Sequence, residues 1–187
     1  FKRTKFKNKY KSLSGWIDTL NLEILIENIT NKNSPRTLQL INKTNQMNLS
    51  TRRLTEKDFN HWVTKKNNYM WTIRAKDKFG DYGIIGVLSI TIKDKIAYMV
   101  DFIFSCRIVG RFIEDSTIQF LKEFSNKRSL KKINGLYKKT KKNVLIYKFL
   151  QRLKIIKKKS NSFIIFPTKE KIKLPNIKIA QPKFKRI

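Results

Sequence analysis

A chain of 187 residues is long enough for one well-buried domain and short for two full-sized ones. Within it no apolar run approaches the roughly 20 residues of a membrane-spanning helix, and nothing resembles a signal peptide, so a helical membrane partner is not expected. The formal net charge is +30, and the single cysteine, Cys106, excludes an internal disulfide framework and points to a reducing, cytoplasmic setting.

Lys2 to Lys11 shows no helical or strand periodicity, and the first residue is Phe1, so the chain reads as a fragment that opens in a basic linker over residues 1–15. Leu22 to Asn28 alternates apolar and polar and predicts a strand. Ser34-Pro35 supplies an N-cap and a proline for the first turn of a helix through Leu38 and Ile41. Thr55-Glu56-Lys57-Asp58 has the form of a capping box and opens a second helix carrying Phe59, Trp62 and Val63. Met70–Ala75, Ile84–Ile92 and Ile96–Phe104 are β-rich, and the short Lys93-Asp94-Lys95 connection makes the last two an antiparallel hairpin. Arg111 to Asn126 has a helical stripe through Ile113, Phe120, Leu121 and Phe124, and Lys132 to Tyr137 follows as a strand. Thr140 is placed to cap a helix burying Ile146, Phe149, Leu150 and Leu153, and Phe163–Phe166 is a last short strand. After Pro167 the chain reads as irregular, with a basic tail over 169–187. This order is an α/β (α+β) arrangement, a largely antiparallel sheet flanked by helices, with one domain over residues 16–168.

Strong positive charge is the electrostatic footprint of nucleic-acid binding. Lys outnumbers Arg 33 to 10, however, beside 25 Ile, 16 Asn and only 3 Ala, a set that AT-rich codons produce without selection for any partner. The charge also spreads along the chain, so nucleic acid is expected only as a weak, non-specific ligand.

Three stretches hold more hydrogen-bonding capacity than a core needs. Gln39 to Arg53 packs five amides, three hydroxyls and three cations into fifteen residues, including Asn42, Lys43, Thr44, Asn45, Gln46, Asn48, Arg52 and Arg53. Asp77 to Gly83 holds Asp77 and Asp81 with glycines that suit a tight turn at Gly80 and Gly83, and its acids have the reach to meet the amide-rich run. Ser105 to Arg111 brings Cys106, Arg107, Gly110 and Arg111 to a strand–helix junction, where backbone N–H groups offer an anion site and neighbouring cations favour a thiolate. Asp101 is either a base or the ion-pair partner of Arg52 or Arg53, and Cys106 either a nucleophile or a small packing residue. His61 has no partner carboxylate nearby in sequence, and one Cys with one His leaves almost no soft ligands for a metal.

Together these stretches resemble the C-terminal half of FkbH-like proteins, the HAD-IIIC family, over roughly residues 16–155. The resemblance implies a GNAT-like fold and a part in making glyceryl thioesters from a phosphorylated glycerate, with transfer of the acyl group to an acyl carrier protein. It implies that Cys106 carries the acyl group, that Asn42–Arg53 hold phosphate and hydroxyl oxygens, and that Gly110 with the helix terminus stabilises the oxyanion. It also implies a HAD-like half of the same protein before Phe1, where Mg²⁺ belongs; no cofactor is expected in this domain. In GNAT enzymes the strand–helix loop holds the pyrophosphate of acetyl-CoA with Arg or Gln, two residues, Gly, one residue, then Gly or Ala. Arg107 and Gly110 fit, but Phe112 stands at the second small position, which argues against acyl-CoA. Tyr147 loosely matches the tyrosine that many GNAT enzymes use as general acid. The competing readings are an N-acyltransferase that uses acyl-CoA and a non-catalytic basic module that binds acidic protein or nucleic acid.

Overall fold

The computed structural model describes residues 12–157 and 159–182. Most of the expected linker, residues 1–11, and the end of the expected tail, 183–187, lie outside the described residues. The elements run α1 (Leu13–Asp18), β1 (Glu23–Asn28), α2 (Ser34–Lys43), β2 (Met47–Asn48), α3 (Glu56–Val63), β3 (Asn68–Asp77), β4 (Gly80–Lys93), β5 (Ile96–Phe104), α4 (Ile113–Lys127), β6 (Lys132–Leu136), α5 (Val144–Arg152), β7 (Ser162–Ile165) and β8 (Lys178–Ala180).

Local chemistry accounts for most of these boundaries. Thr55 and Asp58 form the expected capping box, with the Asp58 N–H 3.1 Å from Thr55 Oγ1. Asp94 and Lys95 both have positive φ, the backbone that a two-residue hairpin turn requires, and Lys93 pairs with Ile96 across it. Two starts differ from expectation. Helix α2 begins one residue early, at Ser34, because Asn33 fastens the preceding turn through Thr30 N–H and the Asn28 carbonyl. Helix α5 begins at Val144, because Thr140 accepts from the N–H groups of Lys142 and Asn143 and closes a turn there instead of capping a helix.

The sheet has eight strands in the order β7-β6-β5-β4-β3-β1-β8, with β2 attached to β5 off this path. Its centre, β1-β3-β4-β5, is antiparallel, and β5–β6 and β1–β8 are parallel. The stretch after Pro167, expected to be irregular, supplies β8 and lies along α4: Gln119 accepts from Ile172 N–H, and Lys122 donates to the Glu170 carbonyl. Helices cover both faces. On one side Trp71 meets the edges of Phe120 and Phe124 at 5.1 and 4.9 Å, and Phe102 stacks on Phe149 of α5. On the other, Leu40 and Ile41 of α2 and Phe59 of α3 pack on Met70, Val87 and Ile103. Full burial of each such side chain contributes roughly 1.5–3 kcal/mol.

One feature of the sheet positions the site. Strand β5 pairs with β6 only over Ile96–Met99 against Lys132–Gly135. Beyond that, the same edge of β5 is taken by β2, with Met47 opposite Phe104 and Asn48 opposite Ile103. Leu49 N–H then donates to the Phe102 carbonyl at 3.2 Å, and Lys138 N–H to the Leu49 carbonyl at 3.1 Å. Buried Asn143 locks this insert by donating from Nδ2 to the carbonyls of Asn48 and Lys138.

Candidate functional site

The C-terminal end of β5 opens into the Ser105–Arg111 loop, whose two ends face different surroundings. At the first end Cys106 is exposed and lines a cavity of about 700 Å³ together with Lys43, Thr44, Asn45 and Gln46 from the end of α2 and the loop after it. Arg36, Gln39, Ser105, Lys141 and Lys142 complete the wall, and Arg36 donates to Gln39 Oε1 across one turn of α2. Cys106 and residues 43–46 thus line one cleft. A thiol with four cations and five neutral polar side chains around it suits an anionic acyl compound, because Lys and Arg hold phosphate oxygens. Arg36, Lys141 and Lys142 escaped sequence reasoning; in a chain this basic, three more cations carry no signal.

The rest of the amide-rich run is engaged internally. Asn42 bridges both backbone groups of Leu54, at 2.8 and 2.9 Å. Asn48 is buried, donating to the Thr44 carbonyl and accepting from Thr51 N–H. Arg53 caps the end of α2 through the Ile41 carbonyl at 3.0 Å and also meets Asn45 Oδ1. These three side chains, expected to bind substrate, instead hold their own loop. Arg52 does likewise: its guanidinium grips Asp101 from Nε at 2.9 Å and from a second nitrogen, and stacks over Trp62.

Asp101 is fully buried and accepts from Arg52, Ser50 and Ser89. With its acceptor positions filled, it has no room to take a proton from a substrate. Of the two roles open to it, base or ion-pair partner, pairing with Arg52 is the one the structure contains.

At the far end of the loop Arg111 leaves the cavity altogether. It pairs with Asp77 at 3.2 Å, bonds the Tyr82 hydroxyl at 3.1 Å and packs on the rings of Trp16 and Tyr82. Burial pulls its pKa down against the opposing pull of Asp77 and Glu114. Asp77 accepts from Phe79 N–H and the Tyr82 hydroxyl, and Asp81 accepts from Gly83 N–H and lies 3.7 Å from Arg74. These contacts hold the β3–β4 turn and tie it to Arg111. Gly80 and Gly83 do have the positive φ that the turn required.

Two further expectations change. Helix α4 starts at Ile113, so Cys106 is not at its N-terminus and the terminus does not act on the thiol. Gly110, with φ +82, donates its N–H at 2.8 Å to Glu114 Oε1, so that donor is already engaged and does not face an oxyanion beside Cys106. Glu114 itself is 2% exposed, and its Oε2 has no hydrogen-bond partner among the described residues. Burial pushes its pKa up to about 7, against the pull of its own N–H and that of Gly110, with Asp115 adding to the rise and Arg152 opposing it. Tyr147 accepts from Lys159 N–H, and His61 is exposed on α3. Among the described residues no three His, Cys, Asp or Glu side chains group as metal ligands, and no helix is long and apolar enough to cross a membrane. A second cavity, about 430 Å³, lies across β1, β3 and β8; of the site residues it includes Asp81 alone.

No family model matches the chain, and no curated protein matches it. Solved structures do. A domain from Methanocaldococcus jannaschii DSM 2661 is 14% identical, with a TM-score of 0.58 over 76% of this chain and 96% of that one. An acetyltransferase of the GNAT family from Staphylococcus aureus Mu50 is 9% identical, with a TM-score of 0.55 over 78% and 99%. Spermidine N-acetyltransferase from Vibrio cholerae, solved in complex with CoA and spermine, is 14% identical, with a TM-score of 0.53 over 70% and 78%. At these identities the likeness establishes the fold, and the fold is that of the GNAT acetyltransferases. The FkbH-like part of the resemblance rests on its motifs alone.

Proposed function

We propose that this domain takes part in acyl transfer, with Cys106 accepting a small acyl group from a phosphorylated, glycerate-type donor and passing it to the thiol of a carrier protein. The observation that carries this reading is the exposed thiol in a cavity walled by Arg36, Lys43, Lys141 and Lys142. For an acyl phosphate donor, the sulfur attacks the carbonyl carbon and the C–O bond to phosphate breaks. Phosphate leaves with the electron pair, and the thiol proton is released to it or to water. Attack by the carrier thiol then restores Cys106. The four cations hold the phosphate, while Thr44, Asn45 and Gln46 meet the hydroxyl groups of the acyl chain. If a HAD-like half accompanies the domain in the whole protein, it prepares the donor, and any Mg²⁺ belongs there.

Intact-mass analysis after incubation with phosphorylated glycerates that carry the phosphate on the carboxyl group tests the reading. The expected result is one acyl adduct on the wild type, reversed by hydroxylamine and absent from Cys106→Ser. An adduct of equal yield on Cys106→Ser, or none on the wild type, overturns it.

A further inference from the structure

The strand–helix loop of this fold is a place for anions, because a helix start leaves N–H groups without helical partners. In this chain that place is filled from within. The Glu114 carboxylate, on the first turn of α4, folds back and accepts from Gly110 N–H at 2.8 Å. The loop's other groups are equally committed: Phe112 takes a left-handed φ of +62 and places a phenyl-bearing residue where close backbone approach needs a small one, and Arg111 is held by Asp77 and Tyr82. A second, independent observation lies in the sheet. The edge of β5 beyond Met99, which would be open to an extended ligand, is hydrogen-bonded to the chain's own Met47–Leu49.

We infer that the Glu114 carboxyl group occupies the anion place of the strand–helix loop from within and that this domain therefore does not take CoA there, although the fold family implies it. An entering pyrophosphate would have to displace a carboxyl group that is 2% exposed, and would meet Arg111 already paired. A pantetheine-like chain would have to strip β2 from β5. The inference deepens the proposed function by removing acyl-CoA from the donors, which leaves compounds recognised by the cations around Cys106.

Calorimetry with CoA at 0.3 M salt, with ATP as a control for non-specific attraction to a basic chain, tests this without any acyl transfer, so a failure of Cys106 chemistry leaves it untouched. The wild type and Cys106→Ser are both expected to show no preference for CoA over ATP. Saturable CoA binding by either, tenfold tighter than ATP, overturns the inference. The double variant Phe112→Gly, Glu114→Ala opens the loop and is expected to bind CoA at least tenfold more tightly than the wild type; no gain in a folded double variant also overturns it. Should that variant not fold, the wild-type Gly110 amide resonance decides. It is expected to stay in place when CoA is added and to move with pH as Glu114 titrates. Displacement of the resonance by CoA, or no movement with pH, refutes the assignment.

Discussion

Replacing Glu114 by Gln removes a buried titratable group while keeping an acceptor for Gly110 N–H, and its effect on stability should depend on pH. In the folded chain Glu114 keeps its proton up to about pH 7, against the ordinary 4.5 in the unfolded chain. Between these values the folded state binds one proton more, so stability falls as pH rises. The favourable contribution is complete below pH 4.5 and is lost progressively up to about pH 7. Each unit is worth about 1.36 kcal/mol, which makes the loss from pH 5 to pH 8 on the order of 2.5 kcal/mol. Gln is neutral throughout and escapes it. Its amide N–H₂ takes the place of Oε2, which has no partner, and that costs about 1–3 kcal/mol at every pH. The constant term cancels when the two pH profiles are compared. Urea unfolding of both proteins at pH 5, 6, 7 and 8 should therefore show Glu114→Gln gaining about 2.5 kcal/mol on the wild type across the range. Parallel profiles would mean that Glu114 is ionised in the folded state well below pH 7, and would refute the reasoning.

Asp101→Ala strands the half-buried Arg52 guanidinium, the half-buried Ser50 hydroxyl and the buried Ser89 hydroxyl, and should cost about 2–4 kcal/mol in urea unfolding, without a change in the cavity around Cys106. Reversing two cavity cations, Lys141→Glu with Lys142→Glu, should lower the rate of Cys106 acylation at limiting donor at least tenfold and leave the melting temperature within a degree or two; an unchanged rate would remove phosphate recognition from this wall. Binding to DNA should be weak and indifferent to sequence, and should fall steeply between 50 and 200 mM salt in an anisotropy titration; tight binding to one sequence at physiological salt would favour the basic-module reading.

The strands and helices with strong periodicity were legible because their apolar spacing survives the basic composition. Helix α1, with six residues, and strands β2 and β8, with two and three, are too short to show a period. The candidate site divided along a physical line. Lys43–Gln46 and Cys106 stand out as polar in sequence and do face a cavity, but Asn42, Asn48 and Arg53 look the same and serve the backbone. Nothing local separates the two groups, since the partner of Asn42 is Leu54, twelve residues on. Glu114 was hidden for the opposite reason. A Glu in the first turn of a helix is ordinary dipole chemistry, and its backward fold onto Gly110 depends on a positive φ that only the three-dimensional loop reveals.

The parallel pairing of β8 with β1 joins Glu23 to Lys178, almost the whole length of the described chain apart. During synthesis the outer edge of β1 is thus made early and covered late. Its unpaired N–H and C=O groups remain a template for any other strand until residues 178–180 leave the ribosome. Charged Glu23, Glu27 and Lys76 around that edge discourage such pairing in the interval. Chains cut before Lys178 should keep that edge open for good and depend on these charges alone against strand addition.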